Sequence, residues 1–293
     1  MATIHYRTAQ SISDEALLAG ETGLLNLYIS LSLKQVRFAV ADVQRNKLLA
    51  LESYDLSAVF SPLQLSEQLT LLVQEKPFLS KTNWNSIRVA IKNQNFTLIP
   101  ETLFEPEAAG QYLNLHCEPD EFHDRILTYR HAKIEAISIF TADKFLLDWF
   151  AANFPGKNIR FVHQTSPLIE GVLNQHNRSL QKKMYLYADQ NSLSILLAQE
   201  GTLHFCNQFH YASPEDFIYF TLLVMQEHKL NPDQDPITLW GDITHDSALF
   251  TILRKYVRNV SFGKKPEVLA YSYKFDEAFD HRYFDLYSLH LCE

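Results

Sequence analysis

One predicted strand carries two histidines and a cysteine whose types and spacing first suggest chemistry. His204, Cys206 and His210 lie at even spacing, so they would share one face of that strand. Imidazole and thiolate groups on one face could bind zinc, but structural zinc sites need four ligands and the usual zinc spacings are missing here. Because free cysteine is commonly buried, we expect half-buried sheet side chains at these positions and predict no metal site.

Motifs for nucleophilic catalysis are missing from the sequence. There is no G-x-S-x-G segment and no P-loop, and none of the three cysteines has a recognisable catalytic setting. Glycine is scarce, with 8 among 293 residues, where average usage would give about 20. Loops that approach a phosphate closely need glycine. We therefore predict no catalytic residue.

The charge and the cysteines limit the class of protein. A formal net charge of −8 argues against a nucleic-acid partner, which a basic face would bind. No uncharged apolar run reaches the roughly 18 residues of a membrane span, and residues 1–9 lack the apolar core of a signal peptide. The three cysteines are odd in number and widely spaced, which indicates reduced thiols. We predict a cytoplasmic protein that neither binds nucleic acid nor spans a membrane.

The same order of elements occurs twice along the chain. In each half, three consecutive strands precede a helix that begins at a Ser-Pro pair, and another buried strand follows. The predicted strands are residues 27–33, 36–43, 47–54 and 86–91 in the first half, and 184–189, 192–198, 202–209 and 236–240 in the second. This repetition favours a duplicated α/β architecture. The alternative is two unrelated stretches of an ordinary α/β protein.

The predicted helices begin at hydroxyl residues. Ser61-Pro62-Leu63-Gln64 has the form of a capping box with proline at the first helical position, and Ser213-Pro214-Glu215-Asp216 is a weaker equivalent. Two further helices are predicted to begin at Thr141 and Thr244. The repeated Ser-Pro start supports the repeated architecture.

The repetition divides the chain into lobes. We predict lobe I over residues 1–180, with an inserted α+β subdomain at about 93–140, and lobe II over residues 181–270. Residues 271–293 are rich in aromatic side chains, so we expect this C-terminal segment to dock on the lobes.

Two segments and the order of elements carry a resemblance to known proteins. The segments are Phe96-Thr97-Leu98-Ile99-Pro100-Glu101 and His281-Arg282-Tyr283-Phe284-Asp285-Leu286-Tyr287. The chain resembles an uncharacterised bacterial family of unknown function assigned to the actin-like ATPase fold, and within that fold it is most similar to the pilus-assembly and cell-division branch. The resemblance implies a two-lobed α/β protein of actin-like (ribonuclease H-like) fold, with a duplicated three-strand meander plus helices.

The resemblance also implies where a nucleotide would bind. In that fold the first turn of each meander faces the phosphates with an Asp-x-Gly pattern, and paired glycines follow a buried strand on the adenosine side. The corresponding segments here are Ser30-Leu31-Ser32, Asp189-Gln190-Asn191-Ser192 and Trp240-Gly241-Asp242, which keep few of those residues. The candidate ligand-binding residues are Ser30, Ser32, Asp189, Asn191, Ser192, Gly241 and Asp242. Alternatively, Asp189 and Gly241 serve ordinary turns, which both residue types favour.

The degenerate motifs decide between the function classes. We predict a non-catalytic protein of actin-like fold that binds or scaffolds protein partners, has a degenerate nucleotide cleft and needs no cofactor. The alternative is an atypical ATP-binding protein or ATPase, with ATP and magnesium bound and Asp189 holding the metal. A sugar-kinase-like transferase is a weaker third option, because no catalytic aspartate is identifiable.

Overall fold

The computed structural model describes residues 6–18, 24–76, 78–79, 84–176 and 180–293. The chain forms two compact units, which we call unit 1 and unit 2. Unit 1 comprises Met1–Pro167, Val268–Glu277 and Cys292–Glu293, and unit 2 comprises Leu168–Glu267 and Ala278–Leu291. The lobes predicted from the sequence, at residues 1–180 and 181–270, have different bounds from these units and stay a prediction.

Unit 1 holds two sheets with helices between their strands. Its strands are β1 (Tyr6–Ser13), β2 (Leu25–Leu31), β3 (Gln35–Asp42), β4 (Lys47–Leu56), β5 (Trp84–Ile91), β6 (Phe96–Pro100), β7 (Asp124–Arg130), β8 (Ala136–Asp143) and β9 (Ile159–His163). Its helices are α1 (Glu15–Leu18), α2 (Pro62–Glu75), α3 (Ala109–Asn114) and α4 (Lys144–Asn153), and α5 (Thr165–His176) begins in unit 1 and continues into unit 2.

The larger sheet of unit 1 has the strand order β1-β4-β3-β2-β5-β9. β2 pairs antiparallel with β3 but parallel with β5, and β5 pairs parallel with β9. Every residue of β2 and β3 is buried, as expected where both faces of a sheet are covered. Helices α2 and α4 pack against each other, and the Trp149 indole N–H of α4 donates to the Thr70 hydroxyl of α2 at 2.8 Å.

The smaller sheet of unit 1 has the order β6-β8-β7 and lies within the predicted inserted subdomain. α3 packs on it through Leu113, which contacts Ile137 and Ile139 in a small apolar cluster. The segment before α3 forms a 3-10 turn at Pro106–Ala108.

Unit 2 has one five-stranded sheet. Its strands are β10 (Lys183–Asp189), β11 (Ser192–Gln199), β12 (Thr202–His210), β13 (Ile237–Gly241) and β14 (Val260–Phe262), and its further helices are α6 (Pro214–Glu227), α7 (Ala248–Tyr256) and α8 (Phe284–Ser288). The strand order is β12-β11-β10-β13-β14. Leu186, Ile195 and Leu239 are among the residues that form its apolar core with Phe217 of α6.

The two large sheets repeat one topology. In both, a three-strand antiparallel meander pairs through its first strand with a parallel strand that follows a helix, and a further parallel strand completes the edge. Within the described ranges, only unit 1 adds an outer strand, β1, which the sequence pattern did not predict. The shared order agrees with the repeat expected from the sequence, while its origin by duplication stays a prediction.

The C-terminal segment is largely buried. Tyr283, Phe284, Leu286, Tyr287 and Leu289 are each at most 2% exposed. Within unit 2 the Phe284 ring stacks on Trp240 with ring centroids 4.1 Å apart. Among the helices of the described residues, none is long and apolar enough to cross a membrane.

Two predicted helix starts are wrong. Thr141 lies inside β8, and α4 begins three residues later, at Lys144, because the Asp143 carboxylate accepts from the Phe145 and Leu146 backbone N–H groups. Thr244 lies in a turn, and α7 begins after Ser247, whose hydroxyl accepts from the Phe250 N–H. In both cases a competing cap further along the chain satisfies the free N–H groups of the helix.

The Ser-Pro helix starts also differ from expectation in strength. The reciprocal capping box forms at Ser213 and Asp216, whose side chains each accept from the other's backbone N–H at 3.1 Å. At Ser61 the hydroxyl accepts from the Gln64 N–H at 3.3 Å, but the Gln64 side chain accepts from Phe60 instead. The weaker sequence match therefore forms the more complete cap.

We expect Ser213→Ala to lower the free energy of unfolding by about 1 kcal/mol, because it removes the acceptor of the capping box. Urea unfolding monitored by circular dichroism measures the change. Ser261→Ala, at an exposed strand position, is the matched control and should change stability by less than about 0.5 kcal/mol. Equal losses in the two variants would contradict the assigned role of the cap.

Candidate functional site

Three of the predicted site residues meet at one strand edge of unit 2. Ala188 of β10 lies beside Gly241 of β13 in parallel register, so Asp189 and Asp242 follow at neighbouring strand ends. Asp189 is buried, whereas Asp242 lies at the surface. In a parallel pair these carboxyl ends are where ligands bind in open α/β sheets. The structure thus brings Asp189, Gly241 and Asp242 together.

Gly241 is required by the packing of the two strands. Its φ is +97°, in the region that favours glycine. A Cβ added here would lie 1.9 Å from the Ala188 carbonyl oxygen. That same oxygen accepts from the Asp242 N–H at 2.6 Å. The close backbone approach alone therefore accounts for the glycine.

The C-terminal segment of the chain occupies the end of β13. The Gly241 N–H donates to the His281 carbonyl at 2.8 Å, and the His281 ring donates from Nε2 to the Ile243 carbonyl at 2.7 Å. Burial lowers the pKa of His281, consistent with a neutral ring. The Arg282 guanidinium lies 2.7 Å from the Asp242 carboxylate. The groups at this strand end are thus engaged by the chain itself.

The turn after β10 is held by Tyr211, the residue that follows β12. Asp189 pairs with Ser192 across a two-residue turn, in which Gln190 has positive φ. The Tyr211 hydroxyl donates to the Gln190 carbonyl at 2.6 Å, and the Tyr211 N–H donates to the Asn191 carbonyl at 3.0 Å. Burial, with smaller effects from the Asp189 and Asp242 charges, raises the pKa of Tyr211 to about 12. Because Gln190 has positive φ and Asn191 does not, Gln190 takes the left-handed position of the turn.

In unit 1, β2 ends at Leu31, two residues before the predicted strand end at residue 33. Ser30 lies within β2 and is buried, so the predicted placement of Ser30-Leu31 in the turn is wrong. The turn comprises Ser32, Leu33 and Lys34, and the Ser32 hydroxyl accepts from the Lys34 N–H and lies 3.3 Å from the Gln35 carbonyl. The apolar Leu33 continued the alternation of the strand in sequence, although it is exposed at the turn. Ligand binding by Ser30 and Ser32 stays a prediction.

Unit 1 also contains a cavity of about 230 Å³ beside this turn, which the sequence did not predict. Its walls come from β2, β5, β7, β8, α2 and α4 and from the segments after β2 and β5. They are formed by Leu31, Ser32, Leu33, Pro62, Leu65, Ile91, Lys92, Asn93, Asn95, Asp124, Thr141, Asp143 and Leu146. These residues spread over more than a third of the chain in no local motif. We call this site the unit 1 cavity.

A fully buried histidine supports the wall of the unit 1 cavity. His163 donates from Nε2 to the Asn93 carbonyl at 3.0 Å, while Nδ1 lies 2.7 Å from the Thr165 hydroxyl, from which it accepts. Its ring stacks on Phe96 at 4.3 Å. Burial lowers the pKa of His163 to about 4. The neutral ring therefore fixes the segment that carries Asn93.

The strand with His204, Cys206 and His210 shows no metal-binding arrangement. Burial raises the pKa of the Cys206 thiol to about 12. Among the described residues, no group of three or more His, Cys, Asp and Glu side chains is placed to hold a metal ion.

Comparison with known structures shows the class of the fold. The two meander sheets place this chain among proteins of the actin-like ATPase fold, which confirms the predicted fold class. The chain belongs to the family described as "Protein of unknown function (DUF3822)", whose profile matches residues 14–260. None of the curated protein sequences compared with it matches significantly.

Three solved structures show the likeness. A Bacteroides thetaiotaomicron VPI-5482 protein with actin-like ATPase fold and unknown function has 23% identity, a TM-score of 0.78, and coverage of 94% of this chain and 98% of the other. The PilM-PilN type IV pilus biogenesis complex gives 14% identity, a TM-score of 0.58 and coverage of 92% and 98%. The ethanolamine utilization protein EutJ of Carboxydothermus hydrogenoformans gives 8% identity, a TM-score of 0.50 and coverage of 96% and 96%. At these identities the comparisons establish the fold.

We expect Gly241→Ala to lower the free energy of unfolding by about 2–4 kcal/mol, because the new methyl group would overlap the Ala188 carbonyl. Gly201→Ala is the matched control, since Gly201 also has positive φ but no atom lies within 4 Å of an added Cβ. The control should cost about 1 kcal/mol from backbone strain alone. Chemical unfolding measures both changes. Equal costs would contradict the close-approach explanation.

We expect His163 to make the protein less stable in acid. Its pKa is about 4 when folded and 6.5 ordinarily, so between these values the unfolded chain binds the additional proton. The contribution is present above pH 6.5 and is lost as the pH falls toward 4, by up to about 3 kcal/mol.

The measurement for His163 is the urea midpoint from pH 7 to 4, compared between the natural chain and His163→Gln. The variant should have a shallower pH dependence, because glutamine can still donate to Asn93 but does not titrate. His204→Gln, at an exposed position, should keep the natural slope. An unchanged slope in His163→Gln would rule out this histidine as the source.

Proposed function

We propose that this chain is a non-catalytic actin-like module that binds or scaffolds other proteins and has a degenerate nucleotide cleft. The observation that carries the proposal is the engagement of the β13 end by the chain's own C-terminal segment. From this segment, the His281 carbonyl accepts from the Gly241 N–H, and Arg282 pairs with the Asp242 carboxylate. The Asp242 N–H donates to the Ala188 carbonyl of β10. A nucleotide would have to displace these partners.

The turns of the two meanders support the same conclusion. Phosphate binding by backbone N–H groups needs a close approach that glycine permits. In unit 2, Gln190 and Asn191 stand in the turn and Tyr211 ties their carbonyls. In unit 1, the Ser32 hydroxyl engages the backbone of its own turn. Neither turn offers a glycine-lined cradle.

A protein partner is supported by the fold neighbours and by the surface. One structure of similar fold is PilM in complex with PilN. Unit 1 also exposes large apolar side chains, of which Phe60 is 71% and Phe122 is 85% exposed. These side chains offer apolar surface that a partner protein could bury. We further propose a cytoplasmic setting, which the three free cysteines support.

The alternative is an atypical ATP-binding protein that uses magnesium. The observation in its favour is the position of Asp189 and Asp242, each directly after a paired residue at neighbouring strand ends, because carboxylates hold magnesium or its water ligands. Asp189 would hold the metal in this alternative, with Ser192 nearby in the same turn. The ion pair of Asp242 with Arg282 opposes it.

We expect no change in the unfolding temperature with millimolar ATP and magnesium, because the strand-end groups already have partners. A ligand at 100 times its dissociation constant would stabilise the native state by about 2.7 kcal/mol, which is several degrees for a chain of this size. Differential scanning fluorimetry detects such a shift readily.

The control for the nucleotide experiment is Asp189→Ala, measured with and without ATP and magnesium. A shift in the natural chain that disappears in Asp189→Ala would overturn the proposal and support the ATP-binding alternative. Magnesium alone and ADP alone separate an effect of the metal from an effect of the nucleotide.

A further inference from the structure

The unit 1 cavity is large enough to hold one side chain of a partner protein. Its volume is about 230 Å³, whereas sites for drug-sized ligands span roughly 300–1,000 Å³. It is partly open to solvent. A cavity of this size and access can receive one long side chain from a partner protein.

Two carboxylates face each other across the strands that form one wall. Asp124 begins β7 and Asp143 ends β8, and the two residues are direct cross-strand partners. Like charges in this position destabilise a sheet. Burial, followed by the charge of Asp124, raises the pKa of Asp143. A positive charge placed at this wall would relieve the repulsion.

The cationic groups nearby leave the wall negative. Lys144 donates to the carbonyls of Glu121 and Phe122, and His123 pairs with Asp120. Among the lining residues, Lys92 carries one positive charge against the two carboxylates. The cavity therefore keeps an excess of negative charge, which complements a cation.

Exposed apolar side chains lie next to the cavity residues along the chain. Phe60 and Leu63 flank Pro62, with 71% and 51% of their surface exposed, and Leu33 itself lines the cavity. Near the carboxylates, Phe122 and Phe145 are 85% and 49% exposed. An exposed apolar surface next to a polar cavity is typical of a protein-binding site.

We propose that the unit 1 cavity receives a lysine or arginine side chain of a partner protein, and that apolar residues beside it in the partner pack on Leu33, Phe60, Leu63, Phe122 and Phe145. This inference rests on the proposed function as a protein-binding module and names the chemistry of the partner. The carboxylates of Asp124 and Asp143 bind the cation, and the cavity volume limits the anchor to one long side chain.

Selection from a random peptide library displayed on phage, with the full chain as bait, tests the proposal. We expect the selected peptides to share a lysine or arginine between apolar residues. A synthetic peptide of the selected sequence should bind Asp143→Asn at least about tenfold more weakly, since a hydrogen-bonded charge pair is lost. Asparagine keeps the cap of α4, so the variant should remain folded.

The matched control is Asp148→Asn, an equal change of charge at an exposed position of α4, and it should bind the peptide like the natural chain. Asp124→Asn should weaken binding of the peptide. It should leave the unfolding midpoint unchanged or raised, because the repulsion between residues 124 and 143 is relieved. Replacing the basic residue of the peptide by norleucine should cause the same loss as Asp143→Asn.

Three outcomes would overturn the inference: a selection without a basic consensus, equal binding by Asp143→Asn, or binding of free arginine as tight as that of the peptide. The first two remove the charge recognition, and the third identifies a small-molecule site. Failure of the proposed function gives a different result from failure of this inference. It would appear as a rise of the unfolding temperature with ATP and magnesium that Asp189→Ala in unit 2 abolishes.

Discussion

The parallel pairing of each meander's first strand with the strand that follows a helix is the constraint on which this structure depends. It places β2 beside β5 in unit 1 and β10 beside β13 in unit 2. Parallel strands need a crossover connection, so α2 and α6 lie where they do because of this pairing. It also brings carboxyl ends to one edge, which is why Asp189 and Asp242 become neighbours although 53 positions separate them.

The carboxyl ends of parallel strands are where ligands bind in α/β sheets. In this protein, contacts from the chain itself stabilise that end of β13. At the end of β13 the chain uses backbone approach, ring stacking and an ion pair in close succession, through Ala188, Phe284 and Arg282. The ion pair is partly exposed and contributes little free energy by itself, whereas stacking of Phe284 on buried Trp240 removes large apolar surfaces from water. Packing, more than charge, therefore decides what occupies this edge.

Much of the fold could be predicted from the sequence, because β2 to β4 and β10 to β12 alternate apolar residues between short turns. β1 escaped prediction since Tyr6–Ser13 is a mostly polar strand at the sheet edge. The end of β2 was predicted two residues too late because exposed Leu33 continues the apolar alternation, whereas Ser30 was assigned to the turn only through the resemblance. The unit 1 cavity gave no sequence signal, because strands and helices far apart in the chain each supply one or two of its residues.

Asp143 has two structural roles. It caps α4 by accepting from the Phe145 and Leu146 N–H groups, and it lines the unit 1 cavity. A helix N-terminus carries partial positive charge and opposes a second cation nearby. The carboxylate wall would therefore attract a basic side chain from a distance but hold it with limited strength. Such an anchor gives fast association, ready release and an affinity that falls as ionic strength rises, which suits a partner that is exchanged often and not one that is bound permanently.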